Sequence, residues 1–481
     1  MSNPDTSRLP KDAHDHVETE NAHIEGLATE LLNAINSFSR QSIRNFLVNN
    51  TNLPTSNDSL VDESVAWLHG FARLSGRLTL REIVSPTTDS PWVVRVEDAV
   101  YSLPHLIHIQ IQPDGGGKII GLNLLPGELE DDPITLEAAV EQGQRLCESG
   151  TKADVFSGAV LVARGPDILF EYVSGHADKR HNTPNNLDTR FNLGSINKMF
   201  TAIAIAIAQL VEQGRLGFMD TIDRYIDETW LPESVTKEIT VHHLLSHSSG
   251  LGSFFNETFT NGSRARFRNI ADYKQLIKDD RPSFTPGERF EYSNTGMLLA
   301  GVIVERVTGV SYYDYVRDAI YAPCGMNHTD CFDIDAPVPN LAMGYIPEII
   351  ETSMQSDRPF VRWRENIFEH VAKGGPAGGG FSTVRDLRRF ADALLADTLV
   401  SRSMRDTLWT DHYGAGYGYG FEVVQHAGEK SIGHSGGFAG ISASFLVGVD
   451  TGLVEVLLSN HDAGVFGLER FIYSTFGRVR F

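Results

Sequence analysis

Met199 to Val211 (MFTAIAIAIAQLV) is almost wholly apolar, and Gly214 stands just beyond it. A helix that is apolar on every side has to lie inside the fold. The run is too short to cross a bilayer, which takes about 20 residues. It therefore predicts a helix buried in a globular core and stopped by a glycine, and whatever opens that helix is carried into the core with it.

What opens it is Ser195-Ile196-Asn197-Lys198, approached through Phe191-Asn192-Leu193-Gly194 as a turn. A serine hydroxyl is a weak nucleophile until a neighbour takes its proton. A lysine one helical turn later shares the serine's face and brings an amine within reach. The positive end of the helix dipole also favours an anionic oxygen at the first turn. Spacing alone is not diagnostic: Ser149 with Lys152 and Ser234 with Lys237 repeat it, and a serine in such a place can simply cap its helix.

Two further stretches complete a constellation. Tyr292-Ser293-Asn294 follows Pro286-Gly287-Glu288-Arg289-Phe290, a loop suited to presenting a phenol and an amide to one cavity. A phenol beside a lysine ammonium is expected to have a depressed pKa and to accept a proton. His434-Ser435-Gly436-Gly437 leads into Ile441 to Val447 (ISASFLV), which reads as a buried strand. Small residues there let the backbone approach a ligand. The N–H groups of Ser195 and Gly437 are expected to form an oxyanion hole, each donor worth about 3 kcal/mol of barrier.

With these three stretches, and with Thr240-Val241-His242-His243-Leu244-Leu245-Ser246-His247-Ser248-Ser249-Gly250-Leu251 and Gly378-Gly379-Gly380-Phe381-Ser382-Thr383 before Asp386-Leu387, the chain resembles the serine β-lactamase and penicillin-binding-protein superfamily, in its class C and family VIII esterase branch. The resemblance covers residues 136–481. It implies an α+β, β-lactamase/D,D-peptidase-like fold, an antiparallel sheet flanked by helices plus a mostly helical subdomain. It makes Ser195 the nucleophile, Lys198 its proton partner and Tyr292 the base of acylation and deacylation. Asn294 would orient the lysine and the substrate carbonyl. It implies neither cofactor nor metal.

Typical members carry a lysine where this chain has His434, and that ammonium helps hold the substrate's carboxylate. A neutral imidazole holds it less well. The expected activity is thus hydrolysis of a small carboxylic ester or amide through an acyl-enzyme, away from penicillins. A D-amino-acid amidase or peptidase, an acyltransferase, a β-lactamase, and a sensor that acylates once and stalls are the alternatives on the same site.

Competing motifs fail on context. Gly433-His434-Ser435-Gly436-Gly437 fits the G-x-S-x-G elbow, with Asp450 and His461 in the right order, but an elbow needs a helix after its serine and a strand pattern follows here. His242, His243 and His247 lack an H-E-x-x-H pattern and read as a helix end near the cleft. The glycines from Gly374 to Gly380 lack a Gly-Lys-Ser/Thr ending and read as a wall close to substrate.

A chain of 481 residues suggests at least two domains. A net charge of −21 makes nucleic acid an unfavourable partner. Three cysteines exclude a disulfide framework, Cys324 and Cys331 being the one pair that could join. Met1 to Glu20 lacks the apolar stretch of a secretory signal, so a cytoplasmic chain without a membrane span is expected.

Residues 1–18 are expected to be a disordered tail. Ile24, Leu27, Leu31 and Ile35 mark an amphipathic helix, Val61 to Leu74 a second. Ile107, Ile109 and Ile111 then alternate with polar residues, and Asp114-Gly115-Gly116-Gly117-Lys118 turns the chain into Ile119 to Leu125. Helices followed by an antiparallel sheet predict an α+β unit over 19–126. Its closing pattern QPDGGGKIIGLNLLP resembles the cone-shaped nuclear transport factor 2 and SnoaL-like domains, in which the sheet curls around a pocket; with no acid and base pair spaced for chemistry of its own, a packing or homo-oligomerising role is expected, and a lid over the active cleft is the alternative. Residues 127–135 read as an acidic, proline-bounded linker, with Thr135 capping a helix from Leu136. Val155 to Arg164, Ile168 to Val173 and Leu453 to Leu458 are expected to share the main sheet.

Overall fold

The computed structural model describes residues 11–53, 58–84, 91–112, 117–127, 132–206, 214–350, 358–426 and 429–480. The chain divides into two units, residues 1–131 with 348–362, and residues 132–347 with 363–481.

In the first unit, helices α1 (Lys11–Asn36), α2 (Arg40–Asn50) and α3 (Asp58–Ser75) precede strands β1 (Leu78–Val84), β2 (Trp92–Asp98), β3 (Pro104–Ile111) and β4 (Ile119–Pro126). The strands form an antiparallel meander in chain order. Ile24, Leu27, Leu31 and Ile35 of α1 are buried with Val61, Val65 and Leu68 of α3 and with Ile107 and Ile109 of β3, as the helical and alternating periodicities require. Helix α1 begins at Lys11, so residues 11–18 belong to it and not to a disordered tail. Neither proline nor glycine interrupts the chain from Lys11 to Glu25, and nothing local breaks the helix before Gly26. Helix α2 carries only Ile43, Phe46 and Leu47 as buried anchors and starts at the Ser39 cap; so short a signal escapes a periodicity reading. The turn at 113–116 and the linker at 128–131 lie outside the described residues.

The second unit opens with α4 (Leu136–Lys152), whose Ala138 N–H donates to Thr135 Oγ1 at 3.2 Å, the expected cap. Then come β5 (Gly158–Arg164), β6 (Asp167–Ser174), α5 (Asn197–Ala206), α6 (Val241–Leu245), α7 (Asn294–Thr308), α8 (Val384–Leu395), β7 (Glu422–His426), β8 (Glu429–Phe438), β9 (Ile441–Gly448), β10 (Leu453–Ser459) and α9 (Leu468–Gly477). The six strands form one antiparallel sheet in the order β7-β8-β9-β10-β5-β6. Every residue of α5 is buried, as the apolar run predicts; positions 207–213 of that run lie outside the described residues. Val454, Val456 and Leu458 of β10 face the large core shared with α5 and α8, and strand alternation turns Glu455 and Leu457 to the other side. Among the described residues no helix is long and apolar enough to cross a membrane.

Candidate active site

Ser195 is placed by backbone. Phe191 and Asn192 pair with Ser382 and Phe381, and Leu193 N–H donates to Gly380 O at 2.7 Å. The chain then turns at Gly194, where φ is +50°, and runs through one 3₁₀ turn, Gly194–Ile196, into α5. A side chain at Gly194 would meet the backbone nitrogen of Gly437 at 2.8 Å, and one at Gly436 would meet Leu193 O at 2.0 Å. Glycine is required at both positions because two main chains touch there.

One turn on, Lys198 is 0% exposed, with Nζ 3.0 Å from Ser195 Oγ. The amine also donates to the Ala377 carbonyl and lies 4.8 Å from the centre of the Tyr292 ring, over its face. Burial lowers its pKa to about 7, against a smaller opposing pull from the Glu422 charge. The Tyr292 hydroxyl lies close enough to Ser195 for the serine to lower its pKa. Serine, lysine and tyrosine thus meet as the sequence expects. The protonation does not follow that expectation: burial of its hydroxyl end raises the Tyr292 pKa, and the Ser195 contact offsets this only in part. Loss of hydration outweighs the pull of Ser195, and the Glu422 charge adds to it.

On the opposite wall, His434 pairs with Phe445 and Gly437 with Ser442 across β8 and β9. His434 is buried, its Nδ1–H donating to Ser435 O at 2.5 Å and its Nε2 accepting from the Tyr417 hydroxyl at 2.9 Å. This fixes a neutral tautomer, and burial lowers its pKa to about 4. Both ring nitrogens are thus engaged within the chain, and His434 is not among the residues that line the cavity around Ser195. Ser435 points outward, and its N–H and hydroxyl both donate to Glu422 Oε1, at 3.1 and 2.7 Å. Gly436 is buried against the Ser195 turn, and Gly437 is exposed.

Ser195, Tyr292, Asn294 and Gly437 line one cavity of about 220 Å³, together with Ala377, Gly378 and Gly379 from the glycine-rich segment and an aromatic wall of Phe254, Phe255, Tyr273 and Phe438. Asn294 donates its amide to Ser253 Oγ at 3.1 Å, and the lysine-holding contact expected of it is made by Ala377 O.

Several residues of the site escape sequence reasoning. His247 sits at φ +55°, fully buried, its ring centre 4.4 Å from that of Tyr292 and 4.7 Å from that of Tyr417. Its Nδ1 accepts from Ser293 N–H at 3.1 Å, which ties the tyrosine loop down. The other two histidines of that stretch are structural: His243 completes a capping box with Thr240, and His242 contacts the Tyr413 and Tyr419 hydroxyls. The left-handed backbone at His247 makes this division, and a sequence does not display it.

The rival motifs are not assembled by these contacts. Ser435 Oγ is bonded to Glu422, whereas His461 Nδ1 lies 3.2 Å from Val155 O and its ring stacks on Trp363 at 3.9 Å. Cys324 and Cys331 are both free thiols and do not pair.

The profile of the Beta-lactamase family matches residues 136–473. Among curated proteins, penicillin-binding protein 4* of Bacillus subtilis (strain 168) is 32% identical over 333 residues, covering 66% of this chain and 71% of its own. Esterase EstB of Burkholderia gladioli is 28% identical over 345 residues, covering 63% and 86%. Among solved structures, a penicillin binding protein from Bacillus halodurans superposes with a TM-score of 0.59 at 28% identity, over 71% of this chain and 97% of its own.

Proposed function

This chain belongs to the Beta-lactamase family, and we propose that it is a serine hydrolase that cleaves a small carboxylic ester, or an amide, through an acyl-enzyme on Ser195. The observation that carries the reading is the 3.0 Å contact between Ser195 Oγ and the amine of Lys198, a buried lysine whose pKa is lowered to about 7. Near neutral pH a large share of that amine is unprotonated and has a lone pair to offer.

In the proposed sequence Ser195 Oγ attacks the carbonyl carbon while its proton passes to Lys198 Nζ. The developing oxyanion is held by the N–H groups of Ser195 and Gly437, both on the cavity wall. The tetrahedral intermediate collapses, and the leaving alkoxide takes its proton from Lys198, relayed by the Tyr292 hydroxyl. With a raised pKa, Tyr292 serves as a neutral relay and not as a standing phenolate. Water then attacks the acyl carbon, Lys198 taking its proton; as the bond to Ser195 Oγ breaks, Lys198 returns that proton to the serine oxygen, and the acid departs. An alcohol or amine in place of that water would give acyl transfer by the same steps.

His434 supports an ester without a neighbouring carboxylate, since the imidazole is neutral and already bonded at both nitrogens. A panel of chromogenic esters, D-amino-acid amides and a cephalosporin, run on the native chain and on Ser195→Ala, tests the reading. Ester turnover that vanishes in the variant is expected; turnover that survives the substitution overturns it. Residues 19–126 are assigned to self-association, supported by outward-facing Trp67 and Ile120, 50% and 47% exposed. A monomer by light scattering would remove that assignment. Three free thiols fit a reducing, cytoplasmic compartment; fractionation of the native cell tests it.

A further inference from the structure

Strand β7 begins at Glu422, which pairs with Gly433. Beyond that point β8 has β9 on one side and, among the described residues, no strand on the other. Residues 434–437 are thus an open strand edge, and alternation puts Ser435 and Gly437 on the same face. Gly437 lines the cavity, and Ser435, two residues earlier on the same strand edge, is exposed like it. An open edge offers donors to whatever lies alongside. Here the N–H and the hydroxyl of Ser435 are both taken by one carboxylate oxygen of this same chain, Glu422 Oε1.

Glu422 is half-buried, and its one ion-pair partner among the described residues is His434, with Nδ1 at 3.5 Å and that N–H already committed to Ser435 O. Its charge is therefore not cancelled. Its field reaches the reacting groups, raising the pKa values of both Lys198 and Tyr292 against the other influences on them.

Resting on the hydrolase reading above, we propose that Glu422 sets the charge preference of the site. Its carboxylate fills the donors at residue 435 that an anionic substrate would use, so the cleft rejects esters carrying an anion near the scissile bond and favours those carrying a cation there.

The test uses the full chain and three 4-nitrophenyl esters whose acyl chains end in trimethylammonium, tert-butyl or sulfonate. The first two ends share a shape and differ in charge. The chain's net charge of −21 also draws cations, so the decisive reading is the change on substitution, not the native order alone. In the native chain kcat/KM is expected to fall from trimethylammonium to tert-butyl to sulfonate, about tenfold at each step for one unit charge at a partly solvated site. In Glu422→Gln the span from first to last is expected to shrink at least about tenfold. An unchanged span, or a native chain that prefers sulfonate, overturns the proposal. Should Glu422→Gln fail to fold, Glu422→Ala carries the same comparison: the span is again expected to shrink at least about tenfold, and a span as wide as the native chain's counts against Glu422. Absence of any Ser195-dependent turnover of all three esters overturns the hydrolase reading itself, a result distinct from a flat charge series.

Discussion

Two places in the second unit bury ionisable side chains, and they do so to different ends. In the cleft, Lys198, His247 and His434 are buried beside a nucleophile, and each has hydrogen-bond partners that fix its position. Behind the sheet, Glu455 of β10 is 0% exposed, and neither carboxylate oxygen has a well-formed hydrogen bond among the described residues. Glu469 of α9 adds like charge, and burial holds the Glu455 pKa well above its ordinary value. Both places shift pKa values by loss of hydration. Only the first pairs a shifted group with a reactive oxygen and an opening to solvent. A perturbed pKa marks chemistry when a second group and a cavity accompany it.

The widest separation between the two places should appear in turnover. Ser195→Ala is expected to lower kcat/KM for a chromogenic ester at least about 1,000-fold, while Glu455→Gln stays within about threefold. Comparable losses in both variants would erase the distinction. Next comes pH. If the unprotonated Lys198 amine is the base, kcat/KM rises about tenfold per pH unit below 7 and levels off above it; a flat profile from pH 5 to 8 breaks the assignment.

Stability should run the other way. The Glu455 pKa is raised in the folded chain above the ordinary 4.5. Unfolding then releases a proton once the pH exceeds about 4.5, so stability is intact below that pH and falls as the pH climbs toward the folded value. Glu455→Gln is expected to flatten this decline and to gain about 1 to 3 kcal/mol at pH 8, read by denaturant titration. A decline of the same slope in the variant would mean that another group is responsible. The smallest effect is expected from Tyr417→Phe, which leaves His434 Nε2 without its donor and should cost about 1 kcal/mol of stability. A variant as stable as the native chain would show that the imidazole finds another partner.

The parts of the site that were legible in the sequence are those written in short segments. Ser195 and Lys198 declare themselves because a buried helix brings them together within one turn, and Tyr292 because its loop has a recognisable composition. The sheet was legible for a similar reason, since Ile441 to Val447 and Leu453 to Leu458 are apolar enough to read as inner strands. What was not legible depends on where remote backbone arrives. The carbonyl that holds Lys198 belongs to Ala377, whose side chain carries no signal. Glu422 matters because β7 stops at it, and Tyr417 because it reaches a histidine across a strand. The direction of the Tyr292 shift escaped for a related reason: it depends on how much water the fold removes, a property no motif encodes.

The contact of Leu193 O with Gly436, and of Gly194 with the Gly437 nitrogen, leaves no room for a side chain between the serine turn and β8. The gap where a carbonyl would be activated is therefore gauged by peptide groups alone. Remodelling the aromatic wall could change which molecules are admitted, yet the spacing that polarises them would persist. Selection acting on this cleft can retune recognition while the reactive step is left undisturbed.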